Sequence, residues 1–360
     1  GGYQNIAGWL KRRDVSAFNP SAPPMTTEFK MNLIEQGMTQ AFLNAPVMNF
    51  SKISYVRNIS EQIAGLAGAQ GKVVPSDILF PIAPPTLRMR EFVEDSTFNP
   101  LIRETVRMKI RPWQGGYKCR RQDFYADVQN TIRNVSEALV RPTLKLADQL
   151  VAEVLYNGKV LTDYTNTPFF STTKPISPSG AISGTYSNLY TSSPLTSANV
   201  SAVINNMMSL VGEDDLPLNV MPDTLIVPPT LYSAAVQAVE LRTNVFSNGN
   251  PFPGQANNTA SFADNWIAHT GIIKQIVVLN ELLDSGNASD RTTWYLAECQ
   301  NPTRGGAWGL LLGQDPATEI SILMDPRDYN VAFRDEFIWN AKKFMGASPG
   351  LPQLVARADA

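Results

Sequence analysis

The chain has few of the residues that usually perform catalysis or bind metals. Its 360 residues include one histidine, His269, and two cysteines, Cys119 and Cys299. Zinc sites of the Cys/His type need several closely spaced ligands, and these three residues are far apart in the sequence. Two cysteines cannot form the disulfide framework of a secreted protein, so we expect unpaired thiols in a reducing compartment. We therefore expect no metal and no cofactor.

One short segment has the spelling of a catalytic motif. Residues 346–350, GASPG, match G-x-S-x-G, in which the residue after the serine donates its backbone N–H to an oxyanion. Pro349 has no N–H to donate, and His269 precedes Ser348, the reverse of the order that this motif requires. We interpret the segment as a turn near the C-terminus and predict that the protein is not an enzyme.

Composition predicts a chain with a sizeable core and no membrane span. Hydrophobic residues make up 43% of the sequence and charged residues 17%, so the chain is neither disordered by composition nor a membrane protein. No run of eighteen apolar residues occurs, and no basic and apolar leader follows Gly1. A start without methionine is compatible with maturation cleavage and equally with a cloned end.

The net charge of −2 conceals an uneven distribution. Residues 88–121 hold nine Lys/Arg and four Asp/Glu, whereas residues 122–360 hold fourteen and twenty-three. The basic region therefore has a net charge of +5 and the following body −9. A basic segment attached to an acidic body predicts association between copies of the chain, because opposite potentials steer and orient association.

The basic region has the pattern of β-strands. Apolar and basic residues alternate over 106–111 and 87–90, and a third strand-like run covers 117–121. We interpret residues 77–125 as a long, basic, hairpin-like arm. Its candidate inter-subunit residues are Arg88, Arg90, Arg107, Lys109, Arg111, Lys118, Arg120 and Arg121. An ordinary solvated hairpin and a nucleic-acid-binding arm are the alternatives, although the acidic body and the lack of interleaved aromatic residues disfavour the second.

The remaining elements predict an α+β protein with one dominant helix. Apolar residues at helical spacing predict a helix from 126 to 156, interrupted by Pro142, and an earlier amphipathic helix over 26–43. A mixed helix and strand block follows. Its predicted helices cover 198–211 and 231–241, its strands 223–227, 272–279 and 292–296, and its loop 244–263. Further apolar runs cover 308–312, 319–323 and 329–344.

Four of these segments resemble the major head subunit of phage Mu and its prophage relatives. They occur in the family's order across roughly residues 85–355. They are TPFFSTTKP at 167–175, LIVPPTL at 225–231, TWYLA at 293–297 after the strand at 275–278, and FRDE at 333–336 with GLPQL at 350–354.

The resemblance implies the capsid fold of tailed phages named after phage Hong Kong 97. On that mapping the chain divides into five parts: an N-terminal arm (1–76), an extended β-hairpin loop (77–125), a peripheral domain with a spine helix (126–215), an axial domain (216–305) and a return to the peripheral domain (306–360). The resemblance also implies a structural role in the virion.

Several partners follow from the same resemblance. Copies of the chain form hexameric and pentameric capsomers of an icosahedral head, which encloses genomic DNA without sequence-specific binding. Scaffold, maturation protease, portal and decoration proteins are further expected partners, and assembly is expected in the bacterial host cytoplasm. Two other readings remain open at this stage: an encapsulin-like compartment shell, and a tail or connector protein.

Overall fold

A computed structural model describes residues 49–58, 76–82, 104–125, 131–176, 184–212, 216–241, 243–246, 261–300, 307–315 and 318–360. The predicted helix over 26–43 and two of the candidate residues, Arg88 and Arg90, lie outside these ranges. The helices are α1 (Phe50–Ile53), α2 (Arg121–Tyr125), α3 (Thr131–Tyr156), α4 (Ser197–Met208), α5 (Tyr232–Val239), α6 (Trp266–Thr270) and α7 (Tyr329–Arg334).

The described strands form two larger sheets and three two-stranded ladders. In chain order the strands are β1 (Tyr55–Asn58), β2 (Asp77–Ile82), β3 (Glu104–Lys109), β4 (Arg111–Arg120), β5 (Lys174–Pro175), β6 (Thr185–Tyr186), β7 (Leu189–Tyr190), β8 (Thr224–Val227), β9 (Thr243–Phe246), β10 (Ser261–Asp264), β11 (Gln275–Val278), β12 (Trp294–Ala297), β13 (Leu310–Gln314), β14 (Glu319–Leu323), β15 (Glu336–Pro349) and β16 (Val355–Ala358). The ladders are β2–β3, β5–β6 and β9–β10.

The first large sheet is organised around the fourteen-residue strand β15. One edge of β15 pairs antiparallel with β14 and then with β13, and β1 pairs parallel with β13. The other edge pairs antiparallel with β4, from Glu336 opposite Arg120 to Met345 opposite Arg111. Because β15 runs the length of the sheet, it joins the β2–β3 ladder at one end to α7 at the other.

The second sheet has the strand order β11–β8–β12–β16–β7 and is covered on both faces. Along β8, Ile226 packs in the core with α3, whereas Leu225 and Val227 pack in the core with α4 and α5. Successive side chains of a strand point to opposite faces, so a strand buried on both faces reads as a continuous apolar run. This explains the short apolar runs at 224–227 and 294–297.

Helix α3 connects the two sheets. Its last turns, including Val151 and Leu155, pack in one core with Tyr295 of the second sheet and Leu312 and Met345 of the first. The helix has 26 residues and continues through Pro142, so it is about 39 Å long. The predicted long helix is confirmed over this range, and residues 126–130 lie outside the described part.

The structure differs from the sequence predictions at three places. Gly346 to Pro349, predicted as a turn, form the end of β15. Residues 111–120 form a strand of the first sheet rather than a third strand of the arm. The ends of the predicted loop 244–263 pair as β9 and β10.

The strand predicted over 117–121 is confirmed for 117–120, but it begins before Gly115 and Gly116 and pairs with β15 rather than with the arm. These two glycines lie inside β4, and Gly116 is opposite Asn340 of β15. A Cβ atom at position 116 would lie 2.5 Å from the carbonyl oxygen of Trp339. The glycine is therefore explained by close packing of backbone within the sheet, a role that sequence alone does not distinguish from a turn.

Candidate subunit interface

Strand β3 separates apolar and basic side chains onto opposite faces. Val106 and Met108 are buried, 5% and 1% exposed, whereas Arg107 and Lys109 point to solvent. Ile110 and Arg111 continue the same alternation into β4. The predicted period-two pattern is confirmed, and it leaves Arg107, Lys109 and Arg111 on one exposed surface, which we call the basic face.

The apolar side of this ladder anchors it to the first sheet. Val106, Met108 and Ile110 pack with Ile78 and Phe80 of β2 in one cluster. The cluster also contains Leu311 of β13, with Tyr55, Tyr164, Trp308 and Phe344 against it. Burial of this apolar layer fixes which side of the ladder faces outward, because a one-residue shift in register would bury the arginines instead.

Two glycines allow the ladder to approach the sheet closely. Gly313 of β13 and Gly346 of β15 are directly opposite each other. A Cβ atom at 313 would lie 2.6 Å from the Met108 methyl carbon, and one at 346 would lie 2.1 Å from the Lys109 carbonyl oxygen. Since the second contact is with backbone, a side chain at 346 would displace the base of the basic face. The glycine of the false catalytic motif therefore has a packing role.

Intramolecular pairing satisfies only part of the charge on the basic face. Arg107 forms a salt bridge with Asp77 on the neighbouring strand, and the Arg107 side chain remains 68% exposed. Exposed pairs of this kind contribute about 0–1 kcal/mol to stability. Within the described residues, Lys109 and Arg111 have no carboxylate at salt-bridge distance. Leu79, opposite Arg107 in the ladder, is 57% exposed, so the face also presents apolar area.

The other predicted contact residues lie at the far end of β4. Lys118 pairs with Glu336 at 3.0 Å, and Arg121 lies 3.9 Å from Asp335. Arg120 is exposed and has no carboxylate at salt-bridge distance in the described residues. Strand β4 is ten residues long, so this end lies about 30 Å from Arg111. The basic residues therefore form two separate surfaces rather than one continuous arm.

Sequence reasoning missed a buried ionic cluster, which we call the C-terminal clamp. Arg357 of β16 is 3% exposed and donates to Asp290 and to Asp359, each at 2.9 Å. It also donates to the Tyr156 carbonyl oxygen at 2.9 Å, at the end of α3. Lys159 forms a salt bridge with Asp359 at 2.6 Å, and Thr293 donates to Asp359 at 2.9 Å. The only sequence signal was an arginine within the apolar run 355–358.

The clamp changes the acidity of its carboxylate. Burial alone would raise the pKa of Asp359, but the hydrogen bonds from Lys159 and Arg357 outweigh burial and lower the pKa below 3.8. The clamp also opposes the negative end of the α3 dipole, because the guanidinium donates to the carbonyl oxygens of Leu155 and Tyr156 in its last turn. Its geometry joins α3, the second sheet and the C-terminus, and it explains stability rather than chemistry.

The residues considered first for catalysis do not converge on one site. His269 is exposed on α6, Cys299 is buried, and Cys119 is partly exposed on β4. Burial raises the pKa of the Cys299 thiol to about 12, so this thiol is protonated and unreactive at neutral pH. The described residues contain no cluster of three His, Cys, Asp or Glu with metal-binding geometry. No helix among them is both long and apolar enough to span a membrane.

Comparison with known proteins supplies the family. A model described as phage capsid protein matches residues 103–355, well over half of the chain. The cyanophage Pam1 capsid is similar in structure, with a TM-score of 0.50 and 12% identity over 96% of this chain and 98% of that one. The mature capsid of bacteriophage PhiM1 has a TM-score of 0.48 and 10% identity, over 88% of this chain and 89% of that one. The procapsid of bacteriophage JBD30 has a TM-score of 0.47 and 12% identity, over 93% of this chain and 76% of that one. No curated protein matches the sequence significantly.

The Pam1 likeness agrees with the architecture built from the residues. At 12% identity it bears on the fold alone, and that fold is the Hong Kong 97 type. The family match covers β4, α3 and most of both sheets. The chain belongs to the phage capsid protein family and is a structural component of the virion.

Proposed function

We propose that copies of this chain assemble into the hexameric and pentameric capsomers of an icosahedral head, and that the basic face is one of their contact surfaces. The observation that carries the proposal is the exposed, only partly neutralised charge of Arg107, Lys109 and Arg111 on a ladder whose other side is fixed by its core. The residues from 122 onward carry a net charge of −9 and offer a complementary partner.

The physical basis is weak contact repeated many times. Each exposed ion pair contributes little alone, but opposite potentials orient the encounter and raise the association rate. In a closed shell each subunit is held by several neighbours, so the contacts act together through high effective concentration. Moderate strength per contact lets misplaced subunits dissociate before the shell closes.

The further partners belong to the same proposal. The head encloses genomic DNA without sequence-specific contacts, and scaffold, maturation protease, portal and decoration proteins act on it in the bacterial host cytoplasm. Within the family we place the chain among the Mu-like head subunits, on the four segments quoted above. The chain performs no enzymatic step in this proposal. The proposal also includes the division of the chain into an N-terminal arm (1–76), an extended loop (77–125), a peripheral domain (126–215), an axial domain (216–305) and a return to the peripheral domain (306–360).

Charge reversal tests the basic face. The variant Arg107→Glu, Lys109→Glu, Arg111→Glu should fold normally, because these side chains are exposed, but should fail to form shells. A matched control, Arg141→Glu, Lys274→Glu, Arg291→Glu, makes the same charge change at exposed positions elsewhere. Negative-stain microscopy and sedimentation measure assembly, and circular dichroism measures folding.

The outcomes separate the proposal from its alternatives. Normal shells from the basic-face variant overturn the assignment of that face. Wild-type protein that stays monomeric, or forms only rings or tubes, overturns the capsid proposal itself. Particles purified from cells should contain DNA, whereas particles that contain a docked enzyme and no DNA indicate the compartment-shell alternative.

A further inference from the structure

Helix α7 presents two aromatic rings to solvent at the end of the first sheet. The side chains of Tyr329 and Phe333 are 64% and 76% exposed, and their ring centroids lie 5.0 Å apart. Residues four apart lie on the same face of a helix, whereas Val331, two residues on, points the other way. Val331 is 5% exposed and packs in a core with Phe124, Phe337 and Trp339.

The two rings are held on a fixed base rather than on a loose loop. Asp335 ends α7 in the left-handed region, with φ of 52°, and its N–H donates to the Asn330 carbonyl. The Asp335 carbonyl accepts from the N–H of Arg121 at 2.9 Å. A non-glycine residue in this region is strained, and strained positions persist only where the surroundings define them. The surroundings here join the end of β4 to α7.

Charges of both signs surround the rings. Arg334 stacks its guanidinium on Tyr329, 5.9 Å from the ring centroid. Arg327, Asp325 and Asp335 are exposed on the same segment, and Asp328 is partly exposed. We call the surface formed by Tyr329, Phe333 and these charged groups, together with Arg120 and Arg121, the aromatic corner. A partner of one charge sign would be repelled by the groups of the same sign, whereas an identical surface, rotated by symmetry, matches basic groups with acidic ones.

We propose that the aromatic corner is a second subunit contact, and that its occupant is the aromatic corner of another copy of the chain. The proposal rests on the shell-forming function above and assigns this contact to the joining of capsomers. Two facts support a separate role. The corner lies about 30 Å along β4 from the basic face, and its exposed aromatic and arginine side chains are of the types enriched in protein interfaces.

Photo-crosslinking identifies the occupant directly. Benzoylphenylalanine in place of Phe333 is irradiated in assembled particles, and mass spectrometry maps the peptides attached to it. We expect attachment to residues 318–336 or 118–125 of a different copy, which mixed light- and heavy-isotope subunits reveal. Val160, 81% exposed and outside the corner, is the control position for the same probe. Attachment at 333 only within its own copy, or only to other surfaces, overturns the proposal.

Substitution separates this contact from the basic face. The double variant Tyr329→Ser, Phe333→Ser should keep the wild-type unfolding midpoint and form capsomers, but yield at least tenfold fewer closed shells. Val160→Ser is the control for removal of exposed apolar area. If the double variant has the shell yield and salt resistance of wild type, the proposed contact at the aromatic corner is wrong. The capsid proposal is not affected by that result, because shells still assemble. Wild-type protein that forms no capsomers overturns the capsid proposal on which the corner rests.

Discussion

The C-terminal clamp and the basic face use arginine in opposite ways. Arg357 is 3% exposed and donates to two carboxylates and to the end of α3. The Arg107 side chain is 68% exposed and pairs with one carboxylate on a neighbouring strand. Removing one partner of a buried pair leaves an uncompensated charge, whereas an exposed pair exchanges readily with water. The clamp therefore stabilises the fold of the subunit, whereas the charges of the basic face remain available to another molecule.

The strands that carry Arg357 and Arg107 differ in how many of their sides are buried. Arg357 lies on a strand buried on both sides, so each of its donors must find an acceptor within the chain. The basic face lies on a ladder with one buried side, so its charges retain water on the other. Position in a sheet that is buried on both sides or on one side thus decides whether a charge must be paired within the chain or stays exposed to solvent.

The largest expected effect comes from removing the clamp arginine. Arg357→Met should reduce the free energy of unfolding by about 3–5 kcal/mol, because Asp290 remains buried without its cationic partner and the partly buried Asp359 loses one of its two. Urea unfolding of unassembled subunits, followed by circular dichroism, measures this loss. Arg291→Met, an exposed arginine of the adjoining turn, should change stability by less than about 0.5 kcal/mol. Equal effects of the two variants would show that the clamp is not special.

Local patterns predicted the one-sided ladder and the long helix, since alternation over 106–111 and helical spacing over 131–156 are properties of neighbouring residues. They did not predict which strands pair. The ten-residue pairing of β4 with β15 joins segments more than two hundred residues apart, and no local pattern encodes that choice. The prediction consequently merged the two ends of β4 into one arm.

The clamp and the aromatic corner escaped prediction for a related reason. Arg357 is a single charge in a short strand, and its partners come from residues around 156, 290 and 359. Tyr329 and Phe333 have the four-residue spacing of a core stripe, and only the burial of Val331 on the opposite side shows that they face solvent. Both depend on which side of an element the rest of the chain covers.

A smaller effect is expected from acid, and it has a defined sign. The lowered pKa of Asp359 means that its stabilisation is fully present above its unfolded value of 3.8 and is lost as pH falls through the folded pKa. Asp359→Asn should therefore lose less stability than wild type as the pH falls below 3.8. Urea midpoints measured at a series of pH values below 3.8 test this. An unchanged acid dependence would remove the electrostatic account of the clamp.

Asp148 provides the control with the opposite sign. Burial raises the pKa of Asp148, although its carboxylate accepts from the Phe50 N–H at 2.6 Å. Its ionisation destabilises the fold, so this contribution worsens as pH rises from 3.8 through the raised pKa. Asp148→Asn should remove the loss of stability that occurs as the pH rises above 3.8. It should leave unchanged the loss below pH 3.8 that is due to Asp359, so the two effects occur in different pH intervals.

The smallest expected effect on stability belongs to the basic face. Arg107→Ala should change the free energy of unfolding by at most about 1 kcal/mol, and a double-mutant cycle with Asp77→Ala should give a coupling within the same limit, because the Arg107 side chain keeps its water. Its effect should appear in assembly instead, as a slower rate that depends less on salt concentration than that of wild type. Light scattering at several salt concentrations measures the assembly rate, and urea unfolding measures the coupling.

A coupling above about 2 kcal/mol would exceed the value of an exposed pair and would give Arg107 a stabilising role like that of Arg357. A wild-type salt dependence of the assembly rate, together with weak Arg107–Asp77 coupling, would leave Arg107 without a role in association. The contrast between Arg107 and Arg357 is supported only if the coupling is weak and the salt dependence of the assembly rate is reduced.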